Sequence, residues 1–142
     1  MNYSLLIYQS NSHSLDVFLN DSRCKEIIQL CTTEELMTNS AKPQSKTLYV
    51  PSQDSLYTSI FNGLKGVTQE DVIVSDGKTT LQMQDIDTLL KYLNQWPAIQ
   101  YKDAAYAFDT RLLMFSLQKA LESNQDLSDC FQTIDMEIKT IE

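Results

Sequence analysis

Apolar residues gather in short runs separated by polar ones along almost the whole chain. Tyr3 to Tyr8, centred on Leu5-Leu6-Ile7, reads as a strand, and Leu15, Phe18 and Leu19 suggest one short helical turn after it. Glu26 to Cys31 reads as a second strand. Thr32 to Met37 starts a short helix capped by Thr32 or Thr33, and Asn39 to Lys46, with Pro43, is a loop. Thr47 to Val50 is a third strand ended by Pro51. Leu56, Ile60, Phe61 and Leu64 then fall at helical spacing, with Asp54 as N-cap and Gly63 or Gly66 as the stop. Asp71 to Ser75 is again a short apolar strand, and Ile86, Leu89, Leu90 and Leu93 mark the next helix at i, i+3, i+4 and i+7. Beyond the Trp96-Pro97 loop, one strand is expected somewhere between Ala98 and Phe108. Asp109 or Thr110 caps the clearest helix, striped by Leu113, Leu117, Ala120 and Leu121. A short helix around Ser128 to Thr133 precedes a last strand, Met136 to Ile141.

Strand and helix alternate throughout, and no repeat or linker divides the chain. The pattern predicts one α/β domain over residues 1–142. Its architecture is a three-layer α/β/α sandwich on a mostly parallel, Rossmann-like sheet of about six strands. Ile28, Leu48, Val72, Ile73, Val74, Leu90, Leu113 and Leu117 are the expected core.

This scaffold type holds nucleotides through glycine-rich loops whose backbone N–H groups close around phosphate at a helix N-terminus. Here the first strand is followed by Gln9-Ser10-Asn11-Ser12-His13-Ser14, and no glycine precedes Gly63. No phosphate cradle is legible there. The formal charge of −8 opposes binding of a polyanion, so nucleic acid is excluded as an expected partner. No apolar run is long enough for a membrane span or a signal-peptide core, which points to a cytoplasmic protein that does not bind membranes. The cysteines, Cys24, Cys31 and Cys130, are odd in number and not spaced as zinc ligands, so they read as reduced, buried thiols.

Four segments then carry a family resemblance. Val50-Pro51-Ser52-Gln53-Asp54-Ser55-Leu56, Phe61-Asn62-Gly63-Leu64, Asp71-Val72-Ile73-Val74-Ser75-Asp76-Gly77 and Ala107-Phe108-Asp109-Thr110-Arg111-Leu112-Leu113 occur in this order. Together they resemble the methylerythritol-phosphate and ribitol-phosphate cytidylyltransferases, of the nucleotide-diphospho-sugar transferase superfamily. The resemblance runs from residue 48 to 121, with weaker echoes in Asp16 to Cys31 and Ser128 to Ile141. It implies transfer of a cytidylyl group from CTP to a polyol phosphate, with Mg²⁺ held by Asp76.

The departures point the other way. The family's first loop, which carries an arginine and a lysine for the triphosphate, is reduced here to a few polar residues. Ser52 stands where the second motif would have arginine, and Lys78-Thr79 where arginine-proline would follow the aspartate. No counterpart of the family's second metal-binding aspartate or second lysine is seen beyond the last strand. Too few residues lie between Trp96 and Ala107 for its dimerisation arm. Ser52, Asp76 and Lys78 are therefore the candidate nucleotide-binding residues, with Asp76 the candidate metal ligand and no catalytic residue assigned. Asp76-Gly77 is equally a plain turn, and that reading is favoured because no assured second carboxylate completes a Mg²⁺ site.

The remaining candidates read as structural. His13 is the only histidine and belongs to an exposed loop, which excludes a multi-histidine metal site. Glu34-Glu35 and Asp85-Ile86-Asp87 sit where first-turn acids favour a helix dipole. Tyr49, Tyr57, Phe61, Tyr101, Tyr106, Phe108, Phe115 and Phe131 are spaced for the core and for half-buried strand faces and not for base stacking. The expected protein is thus a non-catalytic cytidylyltransferase-like domain without a cofactor, binding a protein or small molecule. A minimal Mg²⁺-dependent cytidylyltransferase and an unrelated α/β interaction module are the alternatives.

Overall fold

The computed structural model describes residues 2–8, 15–34, 46–52, 56–75, 80–102, 105–122 and 137–141. The elements in chain order are β1 (Tyr3–Ile7), α1 (Asp16–Leu19), β2 (Cys24–Cys31), β3 (Thr47–Pro51), α2 (Leu56–Leu64), β4 (Asp71–Ser75), α3 (Met83–Leu93), β5 (Ala98–Tyr101), β6 (Ala105–Asp109), α4 (Thr110–Glu122) and β7 (Lys139–Ile141). The strands form a seven-stranded sheet in the order β3-β2-β1-β4-β6-β5-β7. β1, β2, β3 and β4 pair in parallel, as do β5 and β7, while β6 is antiparallel to both neighbours. The fold is therefore mostly parallel, with one reversed strand.

The continuous apolar runs in the central strands follow from burial on both faces. Successive side chains alternate sides, so each run feeds two cores. Leu5, Ile7, Ile27, Ile73 and Ile99 meet Phe18 of α1 and Ile86, Leu89, Leu90 and Leu93 of α3 on one face. Leu6, Ile28, Leu30, Val72, Val74 and Phe108 meet Ile60 and Leu64 of α2 and Leu113, Leu117 and Ala120 of α4 on the other. This two-sided cover is the expected three-layer sandwich.

The expected core is buried at seven of its eight positions, and Leu48 is the exception at 49% exposure. β3 is an edge strand, and α2 shelters only the inner side of this residue. The single strand expected between Ala98 and Phe108 is a hairpin, β5 and β6, registered from Ala98 opposite Phe108 to Tyr101 opposite Ala105. Its turn opens on Lys102 at φ 51°, a left-handed position held by a lysine, so the glycine that normally signals a turn is missing.

Gly63 does not stop α2 but lies inside its last turn. A Cβ there would sit 3.0 Å from Leu6 Cδ1 and 3.1 Å from Leu30 Cδ2, so its absence lets the helix settle on the sheet. The last strand is three residues long, shorter than Met136 to Ile141. Thr33 and Glu34 are helical, as expected of that segment's start. The rest of that segment, the Pro43 loop, Asp54, the short helix at Ser128 to Thr133 and Cys130 lie outside the described residues.

Candidate functional site

In open α/β sheets ligands bind beyond the C-terminal ends of the parallel strands. At that edge of this sheet stand Tyr8 after β1, Thr32 after β2, Ser52 after β3, Ser75 closing β4, and Lys102 after β5. The ladder runs on past the strand ends: the Tyr8 N–H donates to the Ser75 carbonyl at 3.1 Å and the Ser52 N–H to the Cys31 carbonyl at 2.7 Å. Ser52 is exposed at this edge, as a ligand contact must be. Asp76, Lys78 and His13 lie outside the described residues. Strand order separates the ends of β3 and β4 by β2 and β1, so Ser52 stands three strand spacings, roughly 14 Å, from the end of β4. The sheet therefore sets Ser52 apart from the end of β4.

The N-terminus of α3 reaches this edge from β4, and its first turn is occupied by the chain's own acid. Asp85 Oδ2 accepts the Gln82 N–H at 2.8 Å, and Asp85 Oδ1 accepts the Tyr101 hydroxyl at 2.6 Å. Burial pushes this carboxyl up, but the Tyr101 and Gln82 bonds and Lys102 outweigh it and hold it below the usual carboxylate range. Asp85 is thus the cap read from the sequence. The Lys102 ammonium sits 5.1 Å from the centroid of the Tyr101 ring. Among the described residues no three His, Cys, Asp or Glu side chains could hold a metal ion together.

The polar structure that sequence reading missed lies at the opposite, N-terminal edge. Asp21, nearly buried between α1 and β2, accepts the hydroxyl of the fully buried Tyr3 at 2.9 Å. It also accepts the backbone N–H and Nε of Arg23, each at 3.0 Å. Arg23 Nη1 continues to Asp87 of α3 at 2.8 Å. Burial and the neighbouring Asp21 raise the Tyr3 hydroxyl, and burial pushes the Cys24 thiol up to about 11, which keeps it a protonated, unreactive core group. Lys46, another left-handed residue at φ 54°, donates its ammonium to the carbonyls of Asp21 at 3.1 Å and Cys24 at 2.7 Å. Tyr3 and Cys24 are the buried groups that the sequence leads one to expect, but Asp21, Arg23 and Lys46 lie outside any apolar run, so periodicity gives no hint of the bonds that join them.

Further along the same edge, Asp71 of β4 stands directly opposite Asp109 of β6. Asp109 Oδ1 accepts the Leu112 N–H at 3.1 Å and caps α4, while Thr110 bonds back to the Gln69 carbonyl. Glu70, Asp109 and Arg111 line a shallow cavity of about 220 Å³. Burial, Asp109 and Glu70 together push the Asp71 carboxyl up. A raised native pKa means that the folded chain binds this proton more readily. The contribution is favourable at acid pH and is lost as pH rises through the raised value. Asp71→Asn is expected to stabilise the protein near neutral pH by roughly 0.2–1 kcal/mol, the scale of cross-strand charge pairs. Denaturant titrations of both proteins at pH 4 to 8 check it, and equal midpoints at pH 7 would refute it.

No protein-family model matches the sequence, and no curated protein sequence does. Solved structures match over nearly the whole chain. The 4-diphosphocytidyl-2C-methyl-D-erythritol synthase of Anaerococcus prevotii superposes with a TM-score of 0.77 at 16% identity, covering 99% of this chain and 86% of that one. The 2-C-methyl-D-erythritol 4-phosphate cytidylyltransferase of Thermus thermophilus gives 0.76 at 14% identity, with 100% and 89% covered. Rv0371c of Mycobacterium tuberculosis, solved in complex with manganese, gives 0.60 at 11% identity, with 98% and 86% covered. The chain has the fold of the methylerythritol-phosphate cytidylyltransferases and related nucleotide-diphospho-sugar transferases.

Proposed function

We propose that this protein is a non-catalytic cytidylyltransferase-like domain that acts by binding, with the ligand edge of a nucleotidyltransferase sheet but without its phosphate clamp. One observation carries the reading. The chain has two arginines, and neither is a free phosphate grip: Arg23 precedes β2 and spends its guanidinium on two carboxylates and on Met83 at the start of α3, while Arg111 begins α4 at the end of the sheet opposite the ligand edge. The carboxylates that hold Arg23 are Asp21 and Asp87, and Arg111 shares its cavity with Glu70 and Asp109. Planar, bidentate grip on transferring phosphates is arginine chemistry, which a flexible lysine supplies only as a point charge.

Two features support the same conclusion. The first turn of α3, a natural anion site, already carries the Asp85 carboxylate. Of the described strand-end residues Tyr8, Thr32, Ser52, Ser75 and Lys102, only Lys102 is charged, which suits an uncharged ligand or a protein surface better than a triphosphate. Asp76 and Lys78 are the groups through which a minimal enzyme would hold Mg²⁺ and nucleotide. A pyrophosphate-release assay with CTP, Mg²⁺ and polyol phosphates separates the two. The non-catalytic reading expects background rates unchanged by Asp76→Ala, whereas turnover that this substitution abolishes would establish the enzyme.

A further inference from the structure

We propose that the exposed face of α4 is a self-complementary docking surface for a second copy of this chain. α4 buries Leu113, Leu117 and Ala120 toward the sheet. Its opposite side carries Arg111, Phe115, Gln118, Lys119 and Glu122 at i, i+4, i+7, i+8 and i+11, a single stripe along the helix. Phe115 stands in the middle of that stripe at 66% exposure, against 49%, 40% and 37% for Leu48, Met83 and Trp96. Beside it lies a depression of about 240 Å³, lined by Phe115, Gln118, Lys119 and Glu122. A large aromatic side chain next to a recess is the usual form of an interface anchor and its socket.

The order of charges along the stripe identifies the occupant. It begins on a cation, Arg111, carries a second cation, Lys119, one turn before its end, and ends on an anion, Glu122. Two copies of α4 laid antiparallel about a twofold axis midway between Phe115 and Gln118 set Arg111 of each copy opposite Glu122 of the other. The same operation sets each Phe115 against Gln118 of the other copy, at the mouth of the recess. A closed twofold interface requires this self-complementarity. A parallel pairing would instead oppose Arg111 to Arg111 and Glu122 to Glu122, a uniformly acidic partner would be repelled at Glu122, and a uniformly basic one at Arg111 and Lys119. The surface is also distinct from the β5–β6 hairpin, the place where the family resemblance would put a dimerisation arm. Five side chains per copy make a patch below the standard interface of about 800 Å² per partner, and each chain carries a charge of −8. The dimer is therefore weak and forms in the micromolar range or above.

Sedimentation equilibrium of the full chain over a wide concentration series tests this, with far-UV circular dichroism as the folding control. Wild type is expected to associate. Phe115→Asp should weaken association at least about tenfold. Arg111→Glu and Glu122→Arg should each weaken it roughly three- to tenfold, and the double reversal should restore it. Should Phe115→Asp fail to fold, the three charge variants decide alone. A protein monomeric at every concentration, a dimer indifferent to Phe115→Asp, or a double reversal that does not recover would each overturn the proposal.

Discussion

Leu117→Ala is expected to destabilise the protein by about 2–5 kcal/mol, the cost of truncating a close-packed leucine. Leu117 is completely buried, in a core shared with Phe108 and Val72 of the sheet and Ile60 and Leu64 of α2. The sheet holds one side of the site and α2 another, so the surroundings have little freedom to collapse into the space left behind. Gly63 already allows α2 to lie as close to the sheet as Leu6 and Leu30 permit, which removes one route of relaxation. Urea titration measures the loss. Gln84→Ala, on the exposed side of α3, serves as a control and should stay within about 0.5 kcal/mol of wild type. A loss near zero for Leu117→Ala would mean that this stripe is not the buried face of α4.

Asp21→Ala is expected to have the second-largest effect, toward the upper end of the ~1–3 kcal/mol that an orphaned buried polar group costs. It strands the Tyr3 hydroxyl, whose residue is fully buried, and releases Arg23 from the carboxylate that orients it toward Asp87. The joint between the α1–β2 turn and α3 loses its centre. Burial works to raise the Asp21 carboxyl, but the bonds from Arg23 and Tyr3 win and hold it below the usual range. A lowered native pKa makes this contribution fully present above the ordinary carboxylate pKa of about 4, and it is lost as pH falls through the lowered value. Asp21→Asn keeps an acceptor for Tyr3 but removes the charge. Its loss at pH 7 should be smaller than that of the alanine variant, and its stability should fall less steeply below pH 4. Equal losses in both variants at pH 7 would show that the hydroxyl partner is unimportant.

Periodicity made the sandwich legible because apolar runs such as Leu5-Leu6-Ile7 and Val72-Ile73-Val74 need cover on both faces, and the helices that supply it carry clean stripes. It missed the split of Ala98 to Phe108 into two strands, since Lys102 takes the left-handed position where glycine would have flagged a turn. It overestimated the burial of Leu48, because a sequence does not show which strand is at the edge. The candidate site was legible only in part. Ser52, a candidate nucleotide-binding residue, follows β3 at the C-terminal edge of the sheet, but its distance from the end of β4 depends on strand order, which no local pattern encodes. The Tyr3, Asp21 and Arg23 network joins residues through long-range packing of polar groups, and hydrophobic periodicity carries no signal for it. The exposure of Phe115 was invisible for a related reason: its neighbours Leu113 and Leu117 set the helix face, but only the packed fold shows what is left uncovered.

Calorimetric titration with CTP and Mg²⁺ tests the central claim most directly, because it reads binding even where turnover is slow. With Arg23 paired to Asp21 and Asp87, Arg111 at the opposite end of the sheet and Asp85 in the first turn of α3, Asp76 would offer one metal contact and Lys78 and Lys102 flexible charges, and such contacts are weak in a hydrated cleft. The expected result is no saturable heat up to millimolar nucleotide, for wild type and Asp76→Ala alike. Low-micromolar binding that requires Mg²⁺ and disappears in Asp76→Ala would contradict this account and favour the minimal nucleotidyltransferase instead.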